Sequence, residues 1–421
     1  MNVTITPSSI KGKIAASPSK SAMQRAVAAA MLAGGKSIIH NPGLSSDSLA
    51  ALDVAEKLGS AMRKFPDRVE ITSEGIVPLT ETIHCGEAGL GIRMFTPVAA
   101  LSNKALTIVG EGSLASRPMD FFEEILPQLN VSCQTRGGKL PIRIQGPLQA
   151  KDITIDGSLS SQFLTGLLMA YGVAAGDGKT TITVRDLKSR PYIDLTLQLM
   201  AHFGVQVENR NYEQFIFSGK QHYHPAEYTV EGDWSGAAFL LVAGAVAGDV
   251  EVSGLNPASA QSDKAMLDAL HAAGARVKEG DHTITVSRDR LDAFEMDATD
   301  CPDLFPPLVS LAANCNGTTK LKGVSRLAHK ESNRGKTLQD EFAKLGIRIT
   351  LKGDEMEVHG GTQMSSATLF SHNDHRIAMA CAVAALNADG AVVIEEAEAV
   401  NKSYPEFWQH LGAIGGMVDH P

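Results

Sequence analysis

A helix ending followed by an extended segment returns six times along this chain, and that recurrence restricts the fold more than any other feature. The endings read Leu58-Gly59, Leu129-Asn130, Phe203-Gly204, Ala273-Gly274, Leu345-Gly346 and Leu411-Gly412. The period is roughly 70 residues, too long for a common solenoid unit. Each unit carries an Ala/Leu/Val-rich helix, as at 25–32 or 237–246, and then a break at Gly35, Asn103, Gly178, Gly248, Gly317 or Gly390. A short β-branched strand follows, such as 180–184 or 391–394, then a polar loop and a second, amphipathic helix. The pattern predicts a repeated α/β protein. At 421 residues the chain exceeds the size at which one core keeps growing, so six units divide into two similar domains of three. The candidate crossovers, 9–13 and 228–234, give a first domain over 13–231 and a second over 1–12 with 232–421.

Hydrophobic residues make up 43% of the chain and charged residues 20%, without a long biased tract, which excludes a disordered protein. The apolar helices are broken by Gly, Asn or Asp before membrane-spanning length, and no signal-peptide pattern opens the chain, so a cytoplasmic protein is expected. Cys85, Cys133, Cys301, Cys315 and Cys381 lack CxxC spacing; buried free thiols are expected, with neither a disulfide framework nor a metal site. A formal charge of −9 argues against nucleic acid or an anionic membrane as a partner, so any anion must be bound locally.

The repeat register supplies the local cations. At the start of each first helix stand Lys20-Ser21 with Arg25, Glu87 through Arg93, Ser160-Ser161-Gln162, Asp233-Trp234-Ser235, Pro302-Asp303 and Asn373-Asp374-His375-Arg376. Before each second helix stand Ser46-Asp47, Arg117-Pro118, Ser189 through Tyr192, Gln261-Ser262-Asp263, Lys330 through Arg334, and Lys402. Singly, each has a structural reading: Ser160 or Asn373 as a plain N-cap, Lys20 or Lys330 as a solvated lysine. Cys133 and His84 keep that reading. Together the rest return to one register, where parallel units present helix N-termini on one face of each domain, and two such faces make an anion-binding cleft.

These runs resemble the EPSP synthase family over essentially the whole chain. The matching motifs are Pro18-Ser19-Lys20-Ser21 with Arg25, residues 86–93, Arg117-Pro118-Met119, Ser160-Ser161-Gln162-Phe163-Leu164, Pro191-Tyr192-Ile193-Asp194, Pro302-Asp303, Lys330-Glu331 with Arg334, Asn373-Asp374-His375-Arg376 and Lys402. The resemblance implies two domains of three βαβαββ-type repeats, the inside-out α/β barrel of the enolpyruvyl transferase fold, closing around substrate. It implies transfer of the enolpyruvyl group of phosphoenolpyruvate to the 5-hydroxyl of shikimate 3-phosphate by a monomer, without metal or organic cofactor. By motif, Lys20, Gly89, Arg117, Gln162, Arg334, Arg376 and Lys402 would hold phosphoenolpyruvate. Ser21, Arg25, Ser160, Ser161, Gln162, Ser189, Tyr192, Asp303 and Lys330 would hold shikimate 3-phosphate. Asp303 would take the hydroxyl proton, while Glu331 and Lys20 share delivery of a proton to carbon.

Two departures from the family pattern stand out. Glu87 occupies the position of a neutral Asn, which puts a carboxylate among Lys20, Arg93 and Arg117, and pairing with one of them is expected to weaken both donor affinity and inhibition by the donor mimic glyphosate. Arg326 stands where the family often has an Asn. The alternative enzyme, UDP-N-acetylglucosamine enolpyruvyltransferase, relies on a cysteine in a loop of the first domain, and residues 110–118 contain none. A non-catalytic anion-binding homologue would be marked by loss of Asp303, Glu331 or Lys20, all of which are present.

Overall fold

The structure is a computed structural model that describes residues 1–158 and 160–419. It divides into two compact units, Lys20–Val230 and Met1–Ser19 with Glu231–Pro421, each with its own hydrophobic core. Each unit holds three four-stranded sheets.

In the unit of Lys20–Val230, every sheet has one parallel pair followed by two antiparallel pairings. Thr82–His84 pairs parallel with Ala105–Val109, which continues antiparallel to Ile142–Gln145 and then Ser132–Gln134. This is the βαβαββ repeat: a helix makes the crossover that a parallel pair requires, and a hairpin closes the sheet. Ile153–Asp156 opens the next sheet in the same way. The first repeat is completed from the far end of the unit, because Glu227–Thr229 pairs parallel with Gly35–His40.

The other unit also borrows strands from a distance. Val3–Thr6 lies antiparallel between Val392–Glu395 and Met417–Asp419, so the start of the chain completes the last repeat. Ile10–Ala15 pairs parallel with Gly248–Ser253 over its whole length. That pairing corrects the expected boundary at residue 13, which falls inside a strand; residues 13–19 belong with Glu231–Pro421.

The crossover helices are apolar around most of their circumference, apart from polar side chains near their N-terminal ends, and lie inside. All fourteen residues of Trp234–Ala247 are buried, as are all eleven of Gly89–Ala99 and all eleven of His375–Ala385, as expected for helices without a polar face. Sheets and amphipathic helices surround them, which is the inside-out arrangement. Gly166 shows how closely the inner helices of Lys20–Val230 approach: a Cβ there would lie 2.6 Å from Met94 O.

All six second helices end in a Schellman motif, with a left-handed residue at the C′ position. Gly59 N–H donates to Glu56 O and Ser60 N–H to Ala55 O, and the pattern recurs at Asn130, Gly204, Gly274, Gly346 and Gly415. Five coincide with the expected endings. The sixth is displaced: Phe407–Ala413 runs through Leu411-Gly412 and stops at Ile414-Gly415. Cys133 is half-buried, whereas the other four thiols are buried. Among the described residues no helix is long and apolar enough to cross a membrane.

Candidate active site

In Lys20–Val230 the expected residues gather at the N-terminal ends of the inner helices. Lys20, the first residue of Lys20–Leu32, is 2.7 Å from Asp47, which stands in the first turn of Ser46–Lys57 behind the N-cap Ser45. One turn on, Arg25 is buried. Its Nε donates to Thr196 Oγ1 at 2.9 Å, its Nη1 to Ser21 O at 2.8 Å and its Nη2 to Tyr192 O at 3.3 Å, with the guanidinium over the Tyr192 ring. Burial lowers its pKa to about 10, so it remains a cation. Ser189 adopts a left-handed conformation at the N-cap of Arg190–His202 and directs that helix toward Arg25.

A second group forms around Gly89–Ala99. Ser160 caps Ser161–Ala174 by accepting the Gln162 N–H at 3.1 Å, while Gln162 Oε1 accepts from Arg93 Nη1 at 2.9 Å. Arg117 follows the 3-10 helix Gly112–Ser116 as its C-cap and lies across the helix start, where a Cβ on Gly89 would be 2.5 Å from Arg117 Nη1. A side chain at 89 would push the guanidinium out of this position. Glu87 turns its carboxylate toward Gly112 and accepts the Ser113 N–H at 3.4 Å.

The other unit holds a denser charge cluster. Asp303, in the 3-10 helix Pro302–Leu304 that leads into Phe305–Ala313, is 3.2 Å from Lys330, 2.7 Å from Arg334 and 3.3 Å from Arg376. Burial raises the carboxyl pKa, but Arg376, Lys330 and Arg334 together outweigh it and hold Asp303 well below the ordinary carboxylate range. Burial lowers the pKa of Lys330, against the pull of Asp303, with Arg326 among the cations that add to the lowering. Arg334 is wholly enclosed. Its Nε donates to Asp374 Oδ2 at 2.8 Å and its Nη2 to Asp374 Oδ1 at 3.2 Å and to Glu331.

Asp374, not Asn373, is the N-cap of His375–Ala385, accepting the Arg376 N–H at 3.0 Å. An aspartate can cap and hold Arg334 at once because it has two acceptor oxygens. Lys402 reaches the same turn and donates to Asn373 O at 2.6 Å. Asp263 is fully buried, and its carboxyl is pushed up to about 6 by burial first and the charge of Asp303 second.

The EPSP synthase (3-phosphoshikimate 1-carboxyvinyltransferase) family model matches residues 5–411. The chain belongs to the EPSP synthase family. It is 36% identical to the 3-phosphoshikimate 1-carboxyvinyltransferase of Clostridium novyi, over 99% of this chain and 98% of that protein, and 35% identical to that of Clostridium kluyveri with the same coverage. Among solved structures it resembles the EPSP synthase of Acinetobacter baumannii, with a TM-score of 0.83, 25% identity and 99% of each chain covered. The enolpyruvyl transferase NikO of Streptomyces tendae shares the fold, at a TM-score of 0.81 and 18% identity over 100% of this chain and 98% of that one.

Within its own unit, Arg25 meets Tyr192, Arg117 meets Gly89, and Lys330, Arg334 and Arg376 meet Asp303, whereas Lys20 meets Asp47 and Lys402 meets the Asn373 carbonyl. Two carboxylates that hold cations, Asp47 on Lys20 and Asp374 on Arg334, are not among the expected site residues. Both stand at the same register as the cations, but their pairing with a particular cation is set by approach through space.

Proposed function

We propose that this chain transfers the enolpyruvyl group of phosphoenolpyruvate to the 5-hydroxyl of shikimate 3-phosphate, giving 5-enolpyruvylshikimate 3-phosphate and phosphate, a step of aromatic amino-acid biosynthesis. The observation that carries this reading is the full-length match, at 36% identity, to a relative named for that activity. The charged groups support it. Each substrate carries a phosphate and a carboxylate, and such anions call for several guanidinium and ammonium groups at short range. Every residue the reaction needs is present in one chain, so a monomer suffices.

In this reading Asp303 accepts the hydroxyl proton as the oxygen bonds to C2 of phosphoenolpyruvate. Glu331 and Lys20 share delivery of a proton to C3, and the tetrahedral ketal then returns that proton as phosphate leaves. The Asp303 side chain is 24% exposed, against 0% for Arg334, so a hydroxyl can reach the carboxylate. Before substrate arrives, three cations make Asp303 a weak base. Incoming phosphate and carboxylate groups share those cations, and the proton affinity of Asp303 rises where and when the hydroxyl is in place. Arg376 and Lys402 stabilise charge that develops on the departing phosphate.

The test is phosphate release from phosphoenolpyruvate with either of two acceptors. Release with shikimate 3-phosphate and not with UDP-N-acetylglucosamine is expected. The reverse selectivity would overturn the acceptor, and release with neither would favour a non-catalytic homologue.

A further inference from the structure

The turn that opens Gly89–Ala99 and the loop that delivers Arg117 are fastened to each other at three points. Glu111 N–H donates to Gly86 O at 2.9 Å, Glu87 Oε2 accepts the Ser113 N–H at 3.4 Å, and Arg117 Nη1 rests against Gly89. The middle point is the only one of the three made by an acidic side chain, and its fit is tight. A Cβ built on Gly112 would overlap Glu87 Oε2 and Cδ and displace the carboxylate, and the φ of +57° at Gly112 is a backbone conformation that favours glycine. The 3-10 helix Gly112–Ser116 receives no side-chain hydrogen bond from its own N-cap, Glu111. The acceptor comes instead from Glu87, and Arg117 is the residue that ends this helix, its N–H donating to Leu114 O at 3.2 Å.

We propose that Glu87 is a positioning residue for Arg117: seated on Gly112, it clasps the 112–116 turn and fixes where the guanidinium meets the start of Gly89–Ala99. The inference rests on the reading of Arg117 as a donor-binding residue. It differs from the expectation that Glu87 acts by diluting positive charge, and it makes Glu87 and Gly112 a matched pair. Asparagine at 87 is one methylene shorter and falls short of Ser113. Any side chain at 112 evicts the carboxylate. Both changes release the same turn and should misplace the same guanidinium.

The experiment is a double-mutant cycle on the full chain, with Arg117→Ala as the reference variant. Glu87→Ala, Glu87→Asn and Gly112→Ala should each raise KM for phosphoenolpyruvate about tenfold, the scale of one lost capping interaction, while kcat and KM for shikimate 3-phosphate stay within about threefold. Glu87→Gln, which keeps length and an acceptor oxygen, should stay close to the parent. The Glu87→Ala/Gly112→Ala double variant should be no worse than the more impaired single, because one clasp is lost only once. Hydrogen exchange at the Ser113 amide should quicken in the same three single variants, independently of activity. A lower KM for phosphoenolpyruvate in Glu87→Asn would restore the charge-dilution view, and additive losses in the double variant, or unchanged exchange at Ser113, would overturn the clasp. If Arg117→Ala leaves KM for phosphoenolpyruvate unmoved while exchange at Ser113 still responds to Glu87→Ala, the donor-binding role of Arg117 is what failed, and the proposal falls with it.

Discussion

Replacing Arg334 with Met should lower the unfolding temperature substantially, and removing the charge of Asp374 as well should recover most of the loss. The two side chains have no exposure, and the guanidinium meets the carboxylate through Nε at 2.8 Å and Nη2 at 3.2 Å. Removing one partner of such a pair leaves a buried uncompensated charge and typically costs 3–5 kcal/mol. Asp374 would keep the Ser332 hydroxyl at 3.0 Å and the Arg376 N–H at 3.0 Å, which places the loss in the lower part of that range, about 3–4 kcal/mol. At roughly 2–4 °C per kcal/mol for a unit of this size, Tm should fall by about 6–16 °C. Circular dichroism during heating measures it. Adding Asp374→Asn keeps an N-cap acceptor while deleting the stranded charge, and should bring the loss to within about 2 kcal/mol of the parent. A fall of less than about 3 °C in the single variant, or a double variant as unstable as the sum of the singles, would refute the argument.

Asp303→Ala should reduce kcat by about 10²- to 10⁴-fold with a smaller change in KM for shikimate 3-phosphate; steady-state kinetics showing a near-normal kcat would reduce Asp303 to a binding group. Asp263 has a folded-state pKa of about 6, above its unfolded value of roughly 3.9. The stability it contributes is therefore complete below about pH 4 and lost as the pH rises through 6. Asp263→Asn cannot lose it, so the variant should gain on the parent by on the order of 2–3 kcal/mol between pH 4 and pH 7; a stability difference that stays flat with pH would contradict this. Gly166→Ala should destabilise Lys20–Val230 by about 1–3 kcal/mol in urea unfolding, because the new methyl meets Met94 O. A cost near zero would mean that the two inner helices can slide apart freely.

The repeat was legible in the chain because each second helix needs a left-handed residue to stop it, and Gly59, Asn130, Gly204, Gly274 and Gly346 announce that need locally. Gly412 misled for the same reason: it looks like a stop, but the helix continues three residues to Gly415, the residue that has the positive φ. The boundary at residue 13 was not legible because the partner of Ile10–Ala15 lies more than 200 residues away, at Gly248–Ser253. Pairing over such a distance leaves no local mark. In the site, the cations were visible from their register and residue type. What they hold was not, because neutralisation depends on approach through space. Arg334 is written in the chain as one more anion ligand, yet it lies enclosed among Asp303, Glu331 and Asp374. Glu87 was legible as a departure, while its direction toward Gly112 and Ser113 depends on a loop that begins more than twenty residues later.

The measurement that tests the central claim most directly is a reaction in D₂O followed by ¹H and ³¹P nuclear magnetic resonance, with phosphoenolpyruvate and shikimate 3-phosphate in equal amounts. Addition followed by elimination predicts one inorganic phosphate for each enol ether formed at the 5-hydroxyl, with deuterium at the vinyl carbon that passed through a methyl group. Phosphate and pyruvate appearing without an enol ether, or both substrates persisting unchanged, would contradict it.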